Sequence, residues 1–123
     1  MAKITDFLHV SILVSDLDRT RAFYEGTLGL TPSAKRPKMT FDGIWYDIGS
    51  AQIHVLVLPN PDQDSMRPEH GGRDRHIALG VEDWESVKLM FDQTGVAYTL
   101  SRSGRRALFC RDPDGNALEL IEV

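Results

Sequence analysis

Apolar and polar residues alternate along four stretches of the chain and recur at helical spacing along two others. In the first stretch Leu8, Val10, Ile12 and Val14 fall on one side and His9, Ser11 and Leu13 on the other. That period of two belongs to a strand with one packed face. Ile53, Val55 and Val57 oppose His54 in the same way, and Ile77, Leu79 and Val81 oppose His76, Ala78 and Gly80. Near the C-terminus Leu118 and Leu120 oppose Ala117, Glu119 and Ile121. The segments 17–28 and 84–94 read as helices that stop at Gly29 and Gly95, the residue type that ends a helix most readily.

These elements occur twice. His9, Val14 and Asp16 lie 67 positions before His76, Val81 and Asp83, and Tyr24 lies 67 before Phe91. Asp47-Ile48-Gly49-Ser50 lies 65 positions before Asp112-Pro113-Asp114-Gly115, and both tetrapeptides read as hairpin turns. The strands expected to enter the turns are 44–47 and 107–111, and those leaving are 51–58 and 116–123. A weaker strand is expected before each hairpin, at about 31–39 and 98–102. Each half therefore reads strand, helix and three strands, an α+β fold of two βαβββ modules. Module one spans about 4–58 and module two about 73–123. Between them lies a linker of about 59–72, rich in Pro and Gly. A half of this size cannot cover both faces of its sheet, so the two curved mixed sheets are expected to pack together, within one chain or between chains.

Composition narrows the partners. Fourteen Lys and Arg against eighteen Asp and Glu leave a net charge of −4 across 123 residues, which lacks the positive field that nucleic acid or an anionic membrane needs. No apolar run approaches the roughly 20 residues of a membrane span, and the first residues lack the basic-then-apolar pattern expected of a secretory signal. A cytoplasmic protein is expected. The single cysteine, Cys110, excludes an internal disulfide and any cysteine-based zinc cluster, and reads as buried and inert.

Four side chains stand on strand faces opposite the apolar rows: His9, His54, His76 and Glu119. His9 matches His76 at the 67-residue offset, and His54 matches Glu119 at the 65-residue offset. If the two sheets curve toward each other, the four converge in one cleft. Three imidazoles and a carboxylate suit a borderline divalent cation and leave positions open for water or substrate. The remaining histidine, His70, falls in the linker and reads as a loop residue. Trp45, Tyr46 and Phe109 are candidate cleft walls. Arg102, Arg105 and Arg106 either close over an anionic substrate or form a solvated turn.

His9 to Leu17, Ala22-Phe23-Tyr24 and Leu28-Gly29-Leu30 resemble the opening of the vicinal oxygen chelate superfamily, and 109–120 resembles its closing signature. That superfamily includes glyoxalase I, extradiol dioxygenases, fosfomycin-resistance transferases and bleomycin-binding proteins. The resemblance implies paired modules around a divalent metal (Ni, Co, Zn, Mn or Fe(II)), a small-molecule substrate and a homodimer. It is similar to glyoxalase I in using four ligand positions, with His54 where a glutamate is usual. Leu13 stands where glyoxalase I places an arginine for glutathione, which speaks against a glutathione adduct as substrate. The fosfomycin transferases' tyrosine is Phe109 here. His9, His76 and Glu119 also match the two-His, one-Glu set of extradiol enzymes, although their acid–base histidine has no counterpart. The intact ligand set speaks against a bleomycin-type binder. The expected function is a metal-dependent lyase or isomerase of glyoxalase type, with His9, His54, His76 and Glu119 on the metal and Glu119 as base. The alternatives are an Fe(II) extradiol-type dioxygenase and a non-catalytic small-molecule binder.

Overall fold

In the computed structural model, which describes residues 2–123, the chain divides into two compact units, one ending at Gln63 and the other beginning at Asp64. The fold is α+β, with two mixed sheets and few helices.

In the first unit β1 (His9–Val14) runs parallel to β3 (Ala51–Val57), which pairs antiparallel with β2 (Gly43–Ile48), giving the order β1-β3-β2. Ile12, Val14, Ile44, Tyr46, Ile53 and Val55 are buried on one face, together with Phe23 and Tyr24 from the helical segment. That segment opens as α1 (Leu17–Arg21), capped by the Asp16 carboxylate on the Arg19 amide. It then widens into a π-helical turn over Ala22–Thr27, closed by Leu28 N–H on the Phe23 carbonyl. The expected single α-helix is thus two kinds of helix; a 3.6-residue reading cannot register hydrogen bonds that reach one residue further back. Leu8, expected on the packed face, is 69% exposed and precedes the strand.

The second unit has the order β4-β7-β6-β5, from β4 (His76–Val81), α2 (Trp84–Thr94), β5 (Thr99–Leu100), β6 (Ala107–Arg111) and β7 (Ala117–Glu122). Its core gathers Trp84, Phe91, Leu108, Leu118 and Leu120, and Trp84 Nε1–H donates to the Leu120 carbonyl. Asp83 caps α2 through the Ser86 amide, and Gly95 ends it at φ +77°, a conformation that costs a residue with Cβ considerably more than glycine.

Two further expectations are corrected. The strand foreseen at 31–39 is a single bridge between Pro32 and Tyr46, because Pro32 and Pro37 carry no N–H for a ladder. The hairpins are also not related by one offset. Ile48 pairs with Ala51 around two turn residues, whereas Asp112 N–H reaches the Asn116 carbonyl around three. The second turn is one residue longer, with Gly115 at φ +86°. Among the described residues no helix is long and apolar enough to cross a membrane.

Candidate functional site

The register sets one row of side chains across each sheet, on the face opposite the core. In the first unit that row is Ser11, His54, Trp45, with His9 beside Gln52 in the adjacent row. In the second it is Ala78, Glu119, Phe109, Thr99, with His76 beside Ala117 and Arg111. His54 and Glu119 thus occupy the same slot of the same pattern, as do Trp45 and Phe109. Among the described residues no three His, Cys, Asp or Glu side chains gather as one ligand group; the four sequence candidates come together as two pairs.

The pair in the second unit is His76 with Glu119. Glu119 is only 4% exposed, and its Oε1 lies 3.3 Å from His76 Nε2. Its Oε2 accepts from Arg105 Nη2 at 3.2 Å, so the buried carboxylate has a cationic partner that reaches it from solvent. His76 Nδ1 lies 2.8 Å from the backbone carbonyl of Asp74. A carbonyl only accepts, so Nδ1 carries the proton and a neutral ring turns its Nε2 lone pair toward Glu119. Phe109 meets His76 edge-on, with ring centroids 5.2 Å apart.

The pair in the first unit is a stack. His54 lies between Trp45 (centroids 3.8 Å, planes at 1°) and His9 (3.8 Å, 12°). Gln52 orients it: the amide nitrogen donates to Asp47 Oδ1 at 2.8 Å, which turns the amide oxygen onto His54 Nε2 at 2.9 Å. His54 therefore carries its proton on Nε2 and keeps Nδ1 as its free lone pair. Burial, and next the neighbouring His9, hold the His54 pKa below its ordinary value. Nearly parallel rings send their in-plane lone pairs along separate planes. One cation shared by His9 and His54 requires a ring to turn, and exposed His9 is freer to do so than His54.

The other sequence candidates separate. Tyr46 is fully buried and donates from its hydroxyl to Glu25 Oε2 at 2.9 Å, so it belongs to the core. Cys110 sits in the core row with Leu118, and burial pushes its thiol up to about 12. Of the three arginines on the hairpin, Arg105 reaches Glu119. Arg106 instead pairs with Glu85 and Glu122 over the Trp84 ring. Sequence reasoning missed Gln52 and Asp74. Each stands two residues before its histidine, a spacing that puts Gln52 on the same strand face as His54. Asp74 acts through its main chain, which leaves no trace in residue type.

A family model described as the Glyoxalase/Bleomycin resistance protein/Dioxygenase superfamily matches residues 6–120. A lactoylglutathione lyase from Haemophilus influenzae is 32% identical over 124 aligned positions, covering 94% of this chain and 90% of that protein. Glyoxylase I 4 from Arabidopsis thaliana is 28% identical, covering 95% of this chain and 70% of its own length. The crystal structure of a glyoxalase family protein from Bacillus anthracis aligns with a TM-score of 0.76 at 24% identity, covering 99% of this chain and 98% of that one. The duplicated pattern, the shared register and the near full-length match agree: the chain belongs to the glyoxalase/bleomycin resistance protein/dioxygenase superfamily.

Proposed function

We propose that the protein is a divalent-metal-dependent enzyme of glyoxalase type, a lyase or isomerase that moves a proton next to a carbonyl of a small oxygen-chelating substrate. The observation that carries this reading is the 3.3 Å approach of His76 Nε2 to Glu119 Oε1, with Nδ1 already committed to a carbonyl. Two lone-pair atoms facing each other at that distance take a proton or a metal cation between them. Adjacent ligands about 2.1 Å from one metal stand about 3 Å apart, close to the separation seen. An imidazole and a carboxylate also suit the borderline divalent ions, Ni, Co, Zn, Mn and Fe(II). The donors we propose are His76 and Glu119, with His9 and His54 as the further pair.

When bound, the metal supplies Lewis acidity toward neighbouring substrate oxygens. The chain supplies the rest. Glu119, with Oε1 swung off the metal position, would take the proton from the substrate carbon and return it to the neighbouring carbon. Arg105 keeps hold of Oε2, so the carboxylate stays oriented through both transfers. Phe109, packed against His76, keeps water from that edge of the imidazole. In this proposal the enzyme works as a cytoplasmic homodimer on a small molecule.

Loading the purified protein with each of the five ions, followed by deuterium exchange into small α-hydroxycarbonyl and dicarbonyl compounds, tests the reading. Metal uptake with exchange and no oxygen consumption supports it. Oxygen uptake on catechols with Fe(II) overturns it in favour of ring cleavage, which the two-His, one-Glu chemistry also suits. A protein that takes up none of the ions is a binder rather than this enzyme.

A further inference from the structure

We propose that Arg111 is a positioning residue that holds His76 in its Nδ1–H tautomer by fixing Asp74. The inference rests on the proposed ligation through His76 Nε2, because only this tautomer leaves Nε2 free.

The group that selects the tautomer is the Asp74 carbonyl, 2.8 Å from His76 Nδ1. A main-chain carbonyl is a reliable selector only if its peptide cannot turn. Asp74 is tied at several points: its amide donates to the Gly71 carbonyl at 3.1 Å, and its carboxylate accepts from the Arg75 amide at 2.8 Å. The carboxylate also receives Arg67 Nη1 at 3.3 Å and Arg111 Nη1 at 2.8 Å, with the side chain only 8% exposed.

Arg111 is where these ties converge. From the end of β6, Nη1 also donates to the Gly115 carbonyl at 2.8 Å, and Nη2 donates to the Pro68 carbonyl at 2.6 Å. One guanidinium thus joins the hairpin, the segment leading into β4 and the carboxylate of Asp74. Its planar fork suits that task, whereas a lysine, with a single ammonium nitrogen, cannot hold all three sites in that geometry. Arg111 also lies on the same strand face as Phe109, in the row of Ala117 and His76 next to the row that carries Glu119. Groups of this kind, which orient a ligating imidazole from behind, typically change metal affinity by about 10- to 100-fold.

The test is a long-range 1H–15N correlation spectrum of metal-free, 15N-labelled protein at a pH where His76 is neutral, followed by Zn(II) titration. Wild type should show His76 with Nδ1 protonated. Arg111→Ala should shift the ring to a mixture of tautomers and weaken Zn(II) binding about 10- to 100-fold. Arg111→Lys should recover only part of either effect. If Arg111→Ala does not fold, Asp74→Asn, which keeps the carbonyl and removes the charged anchor, should give the same tautomer mixture. A variant that folds and keeps the wild-type tautomer overturns the proposal, as does a wild-type His76 protonated on Nε2. Because the spectrum is recorded without metal, wild type that shows the Nδ1–H tautomer but binds no Zn(II) defeats the metal reading and leaves the positioning result standing.

Discussion

Among single residues, His76 and Glu119 carry the most consequence, and each has a separable readout. His76→Ala should abolish metal retention while circular dichroism stays near wild type and thermal unfolding falls only slightly, because the partly exposed ring gives up one edge contact with Phe109 and its polar contacts with Asp74 and Glu119. Unchanged metal content in that variant removes His76 from the ligand set. Glu119→Gln keeps size and hydrogen bonding and removes the base, so exchange should slow by about 10²- to 10⁴-fold while the fold persists. Cys110 gives a check of a different kind. With its thiol pushed up to about 12 within the Leu118 row, it should stay inert to thiol reagents at neutral pH and react only on unfolding. Fast labelling of native protein would show that the row is open.

The two helical segments show what a pattern reveals and what it conceals. Asp83 caps α2, and its pKa is held below the ordinary 3.8, first by the Ser86 hydroxyl and then by the Ser86 amide. A carboxylate depressed in the folded state stabilises above its unfolded value, and that contribution is lost as pH falls through the folded value. Asp83→Ala should therefore lower the melting temperature at neutral pH and flatten its decline in acid; Asp83→Asn should restore most of the neutral-pH stability without the acid dependence. Equal acid slopes in wild type and Asp83→Ala would assign the decline to other carboxylates. Both helix stops were legible because Gly29 and Gly95 take positive φ, +72° and +77°. Strand faces were legible because period two survives any sheet order. The π-helical turn and the extra hairpin residue were not, since each depends on which amide meets which carbonyl; the prolines at 32 and 37, which leave only a bridge there, were a signal in the sequence that the alternation reading passed over. The candidate site divides in the same way: alternation identified His9, His54, His76 and Glu119, but the Trp45–His54–His9 stack and the Asp74 carbonyl follow from partners distant in residue type.

For the molecule as a whole, assembly is the first question. Ile4, Phe7 and Leu8 are 97%, 70% and 69% exposed in front of β1, three apolar side chains in the segment that leads into the edge strand of its sheet. Such an edge invites pairing, and a homodimer would cover it. Light scattering on the purified protein should give twice the 13.8 kDa chain mass, and Phe7→Glu with Leu8→Glu should shift it toward the single-chain value. A wild-type mass of one chain rules the dimer out.

His54 and Glu119 stand at one address in two copies of the same lattice, each opposite an aromatic ring on the neighbouring strand. An ancestor of half this length would have presented a single side chain at that address, twice over. Divergence after doubling could then change the charge at that address one copy at a time, with the strand pairing of each copy kept as before. The reaction performed by a descendant would turn on which copy was edited, and the architecture would keep no record of the change.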